Sequence, residues 1–514
     1  NSADKMDGKL VWGMYPTDID FSPGGGAYVL DWVQGWEKTG KGRIFRLSDE
    51  ASENDPVALE TKRLLAEGMA NRPVPELISL LGHTDQRVRI SAQHMLADIG
   101  GLRREWKYKA LTVSVDTSRG TKVLADAATT QTNQLARIHA IWALGQIARQ
   151  HDGKGLFDIL PLLEDSNPEI RAQMAKVCGD AVFARAYMGL VANLKHPSAR
   201  VQFYSAEALG KLGRTDAIKP LIELALANDG KDRFVRHAIV MALVRMKDRG
   251  SIMSAAHHSS KEVRMVALQV MRRLEWPEIS LFLHYPETAL VTEAARAIND
   301  VPITNAAPKL AALLDINGRV AAQAQSDIAV RRIINTHFRL GQAENAKALA
   351  AFACQESYLP ALRIEALESL GEWHTPSGRD HVTGLWQPVT GRNAAAAGSA
   401  LETVLPVLLG SKQGSVRIAA LDAVGNLGLT NTSDRVFALL SDKSVTDEVR
   451  AAALRTLATL KSPALPEALK LARADRSEIV RKEAGRLAGQ GDANEAVLAL
   501  SAQLSTGSTS EKQT

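Results

Sequence analysis

The stretch Ser415-Val416-Arg417-Ile418-Ala419-Ala420-Leu421-Asp422-Ala423-Val424-Gly425-Asn426-Leu427-Gly428 decides the fold, because the chain keeps returning to it. Its apolar residues at 416, 420, 421, 424 and 427 follow the three-four spacing of one helical face. Ser415 is placed to cap the helix N-terminus, and Gly428 to close its other end in a left-handed conformation. The same opening returns as Val88-Arg89, Ile170-Arg171, Val235-Arg236, Val263-Arg264, Val449-Arg450 and Val480-Arg481. Arginines 417, 450 and 481 are 33 and 31 residues apart, and 236 and 264 are 28 apart. Helix pairs recurring at that period stack into an all-α solenoid.

Ahead of such a helix lies a Leu-rich one, as in Pro75-Glu76-Leu77-Ile78-Ser79-Leu80-Leu81, and then a turn with Asp or a small polar residue. These features resemble the HEAT repeat family. The resemblance implies a structural ladder of Arg89, Arg171, Arg236, Arg264, Arg417 and Arg450, each reaching back to an acidic turn residue of its own or a neighbouring repeat. A stacked array can satisfy a partly buried guanidinium bidentately in this way. Ligand binding by the same arginines is the competing reading.

A chain of 514 residues exceeds one ordinary core, which also favours an array. Aromatic residues make up only 5%, which suits closely packed helices better than a sandwich. The net charge of +5 divides unevenly: residues 1–56 hold 6 basic and 10 acidic side chains (−4), and the remaining 56 and 47 give +9. Those charges are dilute and sit as helix-face pairs, which argues against nucleic acid as partner. Cys178 and Cys354 lie inside helical patterns and offer neither a disulfide framework nor a zinc site. No apolar run reaches membrane-spanning length. The histidines lack the i, i+4 spacing of a zinc helix, and no Ser-His-Asp, P-loop or Rossmann signature is present.

Residues 1–48 stand apart from the array. Thr17 to Phe21 alternates, Ser22 to Gly26 reads as a turn, and Ala27 to Leu30 and Arg43 to Leu47 read as further strands. Three short strands make about one blade of a β-propeller. An acidic linker is expected over 49–56 and helical repeats over 57–374. An ordered insertion, pinned by Trp386, is expected over 375–400, then further repeats over 401–514 that read as truncated. Arg331 and Arg363 read as continuing the arginine series after a degenerate repeat over 277–308.

Two parts carry a narrower resemblance: Pro16-Thr17-Asp18-Ile19-Asp20-Phe21 with Tyr28-Val29-Leu30-Asp31-Trp32, and Arg379-Asp380-His381-Val382-Thr383-Gly384-Leu385-Trp386 in the insertion. They look like the last blade and the insertion of sorbosone- and glucose-dehydrogenase-like, membrane-bound-type dehydrogenases that bind haem through CxxCH. In those, a propeller, HEAT repeats and a cytochrome c domain follow one another. The resemblance implies a quinone of the PQQ type and haem c for the longer family chain. This chain has no Cys-x-x-Cys-His and only one blade, so neither cofactor is expected on it. The loop from Asp31 to Lys41 corresponds to the ligand-facing rim of such propellers. It places Asp31, Trp32, Trp36, Lys41 and Arg43 at the edge of a sugar or quinone site. The plainer reading is that Trp32 and Trp36 pack the blade onto the first repeat.

The expected function is a scaffold within a secreted, periplasmic or cell-envelope oxidoreductase. It would hold remaining propeller blades and a cytochrome c domain, with protein partners on the concave face, and be non-catalytic in the segment present. Sequence alone leaves open whether the chain acts in catalysis. The alternatives are a HEAT interaction module without redox role, and an enzyme built on HEAT repeats such as bilin-lyase relatives, against which the lack of a catalytic cluster counts. Both ends of the chain read as cuts through a larger protein.

Overall fold

The computed structural model describes residues 15–32, 40–102, 117–389 and 392–488, with further positions between 497 and 512. Two compact units divide the chain, Asn1–Val266 and Ala267–Thr514.

The first unit opens with β1 (Pro16–Phe21), β2 (Ala27–Asp31) and β3 (Arg43–Leu47), an antiparallel sheet in the order β1-β2-β3. Ile19 pairs with Val29, which pairs with Phe45. Alternation sends Ala27, Val29 and Asp31 to the buried face and Tyr28 and Leu30 to solvent. The turn between β1 and β2 closes through Ser22 N–H donating to the Gly26 carbonyl at 2.7 Å. Gly25 has φ +88° there, and a Cβ on it would lie 2.4 Å from the Ser52 carbonyl oxygen, so only glycine lets the turn approach that backbone.

The acidic segment 49–56 is not an extended linker. Asp49 caps the helical turn Glu50–Glu53, and Asp55 caps the helix Pro56–Glu67, whose first position is the proline. The carboxylates of Asp49 and Asp55 thus satisfy orphan backbone donors at helix N-termini. The sheet meets the helices through polar contacts: Arg87 Nη1 donates to the Phe21 carbonyl at 2.7 Å, and Arg46 pairs with Glu53.

Helix pairs follow. Second helices of the first unit include Gln86–Ala97, Gln134–Gln150, Pro168–Asp180, Ala199–Leu212 and Arg233–Met246. Each starts after a polar residue in extended conformation, Asp85, Asn133, Asn167, Ser198 or Asp232. Neighbouring second helices pack at small residues: a Cβ on Gly179 would lie 2.6 Å from Ala208 Cα, and one on Gly210 would lie 2.5 Å from Ala242 Cα. The core is accordingly Leu-, Ile-, Val- and Ala-rich, with buried Leu144, Ile170, Leu209 and Ile239.

In the second unit the second helices are Thr288–Asp300, Asp327–Leu340, Pro360–Gly371, Gly414–Leu427, Asp447–Thr459 and Glu478–Arg486. Gly428 closes its helix with φ +65°, as the sequence indicates, but the helix begins one residue before Ser415, with Gln413 as N-cap. Ser415 therefore occupies the first turn rather than the cap. The insertion is shorter than expected, since Asn393 caps a new helix, Ala394–Leu409.

Candidate functional site

The repeated arginine stands fourth in its helix: Arg89, Arg171 and Arg236 in the first unit, Arg417 and Arg450 in the second, and Arg264 in the helix Lys261–Leu274. From that position the side chain folds back over the inter-helix turn. Arg89 Nη1 donates to the carbonyls of His83 (2.7 Å) and Thr84 (2.8 Å), and Arg264 Nη1 to those of His258 (2.7 Å) and Ser259 (2.8 Å). Arg171 Nε reaches the Asp165 carbonyl at 3.0 Å, and Arg417 Nε the Ser411 carbonyl at 2.5 Å. The acceptors are thus mostly turn carbonyls rather than the acidic side chains implied by resemblance. The first helix of each pair ends there with unpaired carbonyls, and a guanidinium both satisfies them and complements the helix dipole. Carboxylates serve at Arg236, which reaches Glu262 at 3.4 Å, and at Arg450, which reaches Asp475 and Asp447 at 2.5 Å each. Gln202, also fourth in its helix, donates to the His196 carbonyl at 2.9 Å, a substitute that a search for arginine overlooks. Arg363 is fourth in Pro360–Gly371 and buried. Arg331, by contrast, is fifth in Asp327–Leu340, which turns it away to pair with Glu365 at 2.8 Å, so it does not continue the series.

One ladder member meets a histidine. Arg89 Nε donates to Nε2 of His139 at 3.1 Å, and Nδ1 of that ring lies 2.7 Å from Gln93 Oε1. His139 is thereby held neutral, with Nδ1 carrying the proton. Burial, and then the charge of Arg89, bring its pKa down to about 4.

At the sheet's rim the five residues singled out by resemblance differ in their surroundings. Asp31 is buried, accepting the Tyr15 N–H at 2.7 Å and the Arg43 Nε at 2.8 Å and pairing with Arg43 Nη2 at 2.6 Å. Its carboxylate braces β2 against β3 and the entry of β1 instead of facing outward. Trp32 and Lys41 are exposed, so Trp32 does not form a buried wedge under the first repeat. Trp36 lies outside the described residues.

The insertion forms a tight hairpin through the bridge Arg379↔Trp386. Trp386 does not pin it, being 71% exposed. The anchor is Asp380, a buried carboxylate whose Oδ1 accepts the N–H groups of Val382 (3.0 Å) and Thr383 (2.8 Å) and the Thr383 hydroxyl (3.0 Å). Oδ2 accepts Asn335 Nδ2 at 2.7 Å and Arg339 Nη1 at 3.0 Å, both from the helix Asp327–Leu340. Burial opposes ionisation of Asp380, but the donors, led by Asn335, hold its pKa below the ordinary carboxylate value. A short acid can fold the chain around itself by accepting local N–H groups, while the indole stays at the surface. Beneath the hairpin, His381 stacks on Phe338 (4.7 Å between ring centres), and Arg392 lies over Phe338 (4.4 Å) and Trp373 (4.9 Å). Burial, with Arg339 adjacent, brings Arg392 down to about 10.

Beside the hairpin runs a line of carboxylates. Glu365 pairs with Arg331 and Glu372 with His381 (3.2 Å), while Asp422 on the next second helix has its nearest cation, Arg455, at 3.8 Å. Burial, and then Glu365, raise the pKa of Glu368. Among the described residues no group of His, Cys, Asp and Glu has the geometry to hold a metal ion, and no helix is long and apolar enough to cross a membrane.

The HEAT repeats family model matches residues 156–244, 187–272 and 401–489. No curated protein matches the chain significantly by sequence. Similar solved structures include an engineered protein, 20% identical over 81% of this chain and 98% of that one, with a TM-score of 0.26. Human deoxyhypusine hydroxylase in complex with glycerol is 16% identical over 72% of this chain and 96% of its own, with a TM-score of 0.23. The karyopherin Kap121p bound to Pho4p is 13% identical over 89% of this chain and 49% of its own, with a TM-score of 0.44. Residues 156–272 and 401–489 are thus HEAT repeats, and the fold is a HEAT-repeat solenoid with a small three-stranded antiparallel sheet at its N-terminal end.

Proposed function

We propose that the chain is a protein-binding scaffold, and that its partners are the remaining blades of a β-propeller and a cytochrome c domain in a sugar- or alcohol-dehydrogenase-like oxidoreductase of the periplasm or cell envelope. The observation that supports this reading is the state of the sheet. Ile19 and Phe21 are exposed on one face, and Tyr28, Leu30 and Ile44 on the other, with Ile44 and Phe21 each 68% exposed. Among the described residues β1 and β3 each pair on one side only. A small sheet whose central strand is buried on one face only, with apolar side chains exposed on its outer strands and other face and, among the described residues, two open edges, has the form of part of a larger β structure, since water is a poor solvent for these features.

The quinone and haem c belong, in this reading, to the longer family chain. The rim residues do not fit a quinone by themselves, because the carboxylate of Asp31 is already committed to Arg43 and the Tyr15 N–H. The chain's two cysteines, 178 and 354, are too far apart in sequence for haem attachment. What this chain contributes is position: stacked helix pairs that offer an extended surface to protein partners.

Cross-linking mass spectrometry on the assembly isolated from its source, with visible and pyridine-haemochrome spectra of the same material, tests the reading. Cross-links from Lys41 to propeller strands, together with a haem c spectrum, are expected. An assembly without haem and without any propeller partner at residues 15–47 would refute it. The second reading, an interaction module without redox role, would then stand on the HEAT-repeat fold alone.

A further inference from the structure

The hairpin over 378–387 is anchored far more firmly than a surface loop requires. Asp380 collects five donors, Arg379 Nη1 donates to the Gly384 carbonyl at 3.0 Å, and Gln387 N–H donates to the Gly378 carbonyl at 2.9 Å. Gly378 lies directly beneath Trp386; a Cβ on it would be 2.1 Å from the indole ring. That contact fixes the ring against the backbone and leaves its other face in water. Arg379 and Trp386 are partners across the hairpin, and both are exposed. Trp and Arg held in this way lose little entropy on binding and are the residue types that dominate protein interfaces.

The carboxylate line next to the hairpin has the opposite charge. Glu365 pairs with Arg331 and Glu372 lies 3.2 Å from His381, but Glu368 has no ion pair among the described residues, and Arg455, the neighbour of Asp422, is shared with Glu483 at 3.4 Å. His381 of the hairpin reaches Glu372 at 3.2 Å, so the two patches adjoin within the second unit. A cationic, aromatic projection beside an under-neutralised acidic strip is self-complementary. A twofold axis between them brings each projection onto the other molecule's strip, the condition for an isologous contact.

We propose that this hairpin is a docking knob for a second copy of the chain, with Arg379 and Trp386 of one molecule seated against Glu368 and Asp422 of the other. The knob is small, so the dimer is weak, and raised salt weakens it further. The contact uses only residues of the second unit and is independent of the propeller reading.

Sedimentation velocity of the whole chain over roughly 1–200 µM, the range in which weak interfaces dissociate, tests this. A monomer–dimer equilibrium that shifts towards monomer with salt is expected. Arg379→Glu alone, and the pair Glu368→Arg with Asp422→Arg alone, are each expected to weaken it at least tenfold. Combining all three changes restores opposite charges across the axis and is expected to restore the dimer. Trp386→Ser, which leaves every charge in place, is expected to weaken the dimer as well. All these positions are exposed, and circular dichroism checks that each variant is folded. A wild-type chain that stays monomeric throughout, or a dimer indifferent to both charge reversals, overturns the proposal.

Discussion

Replacing Arg450 by Met tests the energetic reading of the arginine series. The change keeps the apolar stem and removes the guanidinium, which is almost fully buried. In the native protein Asp475 Oδ2 accepts Arg450 Nη1 at 2.5 Å and Lys443 Nζ at 2.5 Å, and Oδ1 accepts the Ser477 N–H at 2.9 Å. Burial opposes ionisation of Asp475, yet Arg450 and Lys443 hold its pKa far below the ordinary value of 3.8. Removing one member of a buried, hydrogen-bonded ion pair costs about 3–5 kcal/mol. Lys443 remains on the same oxygen, which places the loss at the lower end, about 3 kcal/mol. Arg417→Met is the internal control: it removes a bond to a neutral carbonyl at 2.5 Å and is expected to cost about 1 kcal/mol. Repeat arrays open stepwise, so native-state hydrogen exchange of the amides in Asp447–Thr459 and Glu478–Arg486 is a better measure than a global melt. Arg450→Met is expected to lower their protection about 100-fold. Because Asp475 is depressed, its stabilisation is complete above 3.8 and fades as pH falls below that value, so the gap between wild type and variant should narrow in acid. Equal losses of protection in Arg450→Met and Arg417→Met would refute the assignment of a charged hub at Asp475.

The other expectations are simpler. His139 and His337 are each buried, neutral and held at about 4 against an ordinary 6.5, so both units should lose stability as pH falls from 6.5 towards 4, by roughly 3 kcal/mol per histidine. Urea titrations at stepped pH should show this loss, and His139→Gln should remove the first unit's share. Gly210→Ala gains about 1 kcal/mol of helix propensity but forces a methyl group to 2.5 Å from Ala242 Cα, so a net loss of about 1–2 kcal/mol is expected in denaturant unfolding. Asp380→Ala leaves the Val382 and Thr383 N–H groups without their acceptor and cuts the hairpin's carboxylate link to Asn335 and Arg339; limited proteolysis should then cut between 378 and 388 well before the flanking helices.

The recurrence of Val-Arg and Ile-Arg at about thirty residues was sufficient to specify paired helices, because helix formation depends on near neighbours and the apolar spacing is local. The strands over 16–47 were legible for the same reason, their alternation and their Pro-Gly-Gly turn being written within a few residues. Which atoms the arginines bind was not legible. A turn carbonyl leaves no mark in the residue alphabet, so the acidic acceptors expected for the whole series occur at Arg236, Arg363 and Arg450, while Arg89, Arg171, Arg264 and Arg417 reach main-chain oxygens. A one-residue displacement along the helix was enough to take Arg331 out of the series, since each step turns a side chain by about 100°. The insertion shows the limit most clearly. Composition pointed to Trp386 as its anchor, the larger apolar group; the fold buried Asp380 instead, because Asn335 and Arg339, more than forty residues earlier in the chain, converge with local N–H groups on that carboxylate. Local pattern dictates helix and strand, whereas the partner of a polar side chain is settled only when distant segments come within hydrogen-bonding distance.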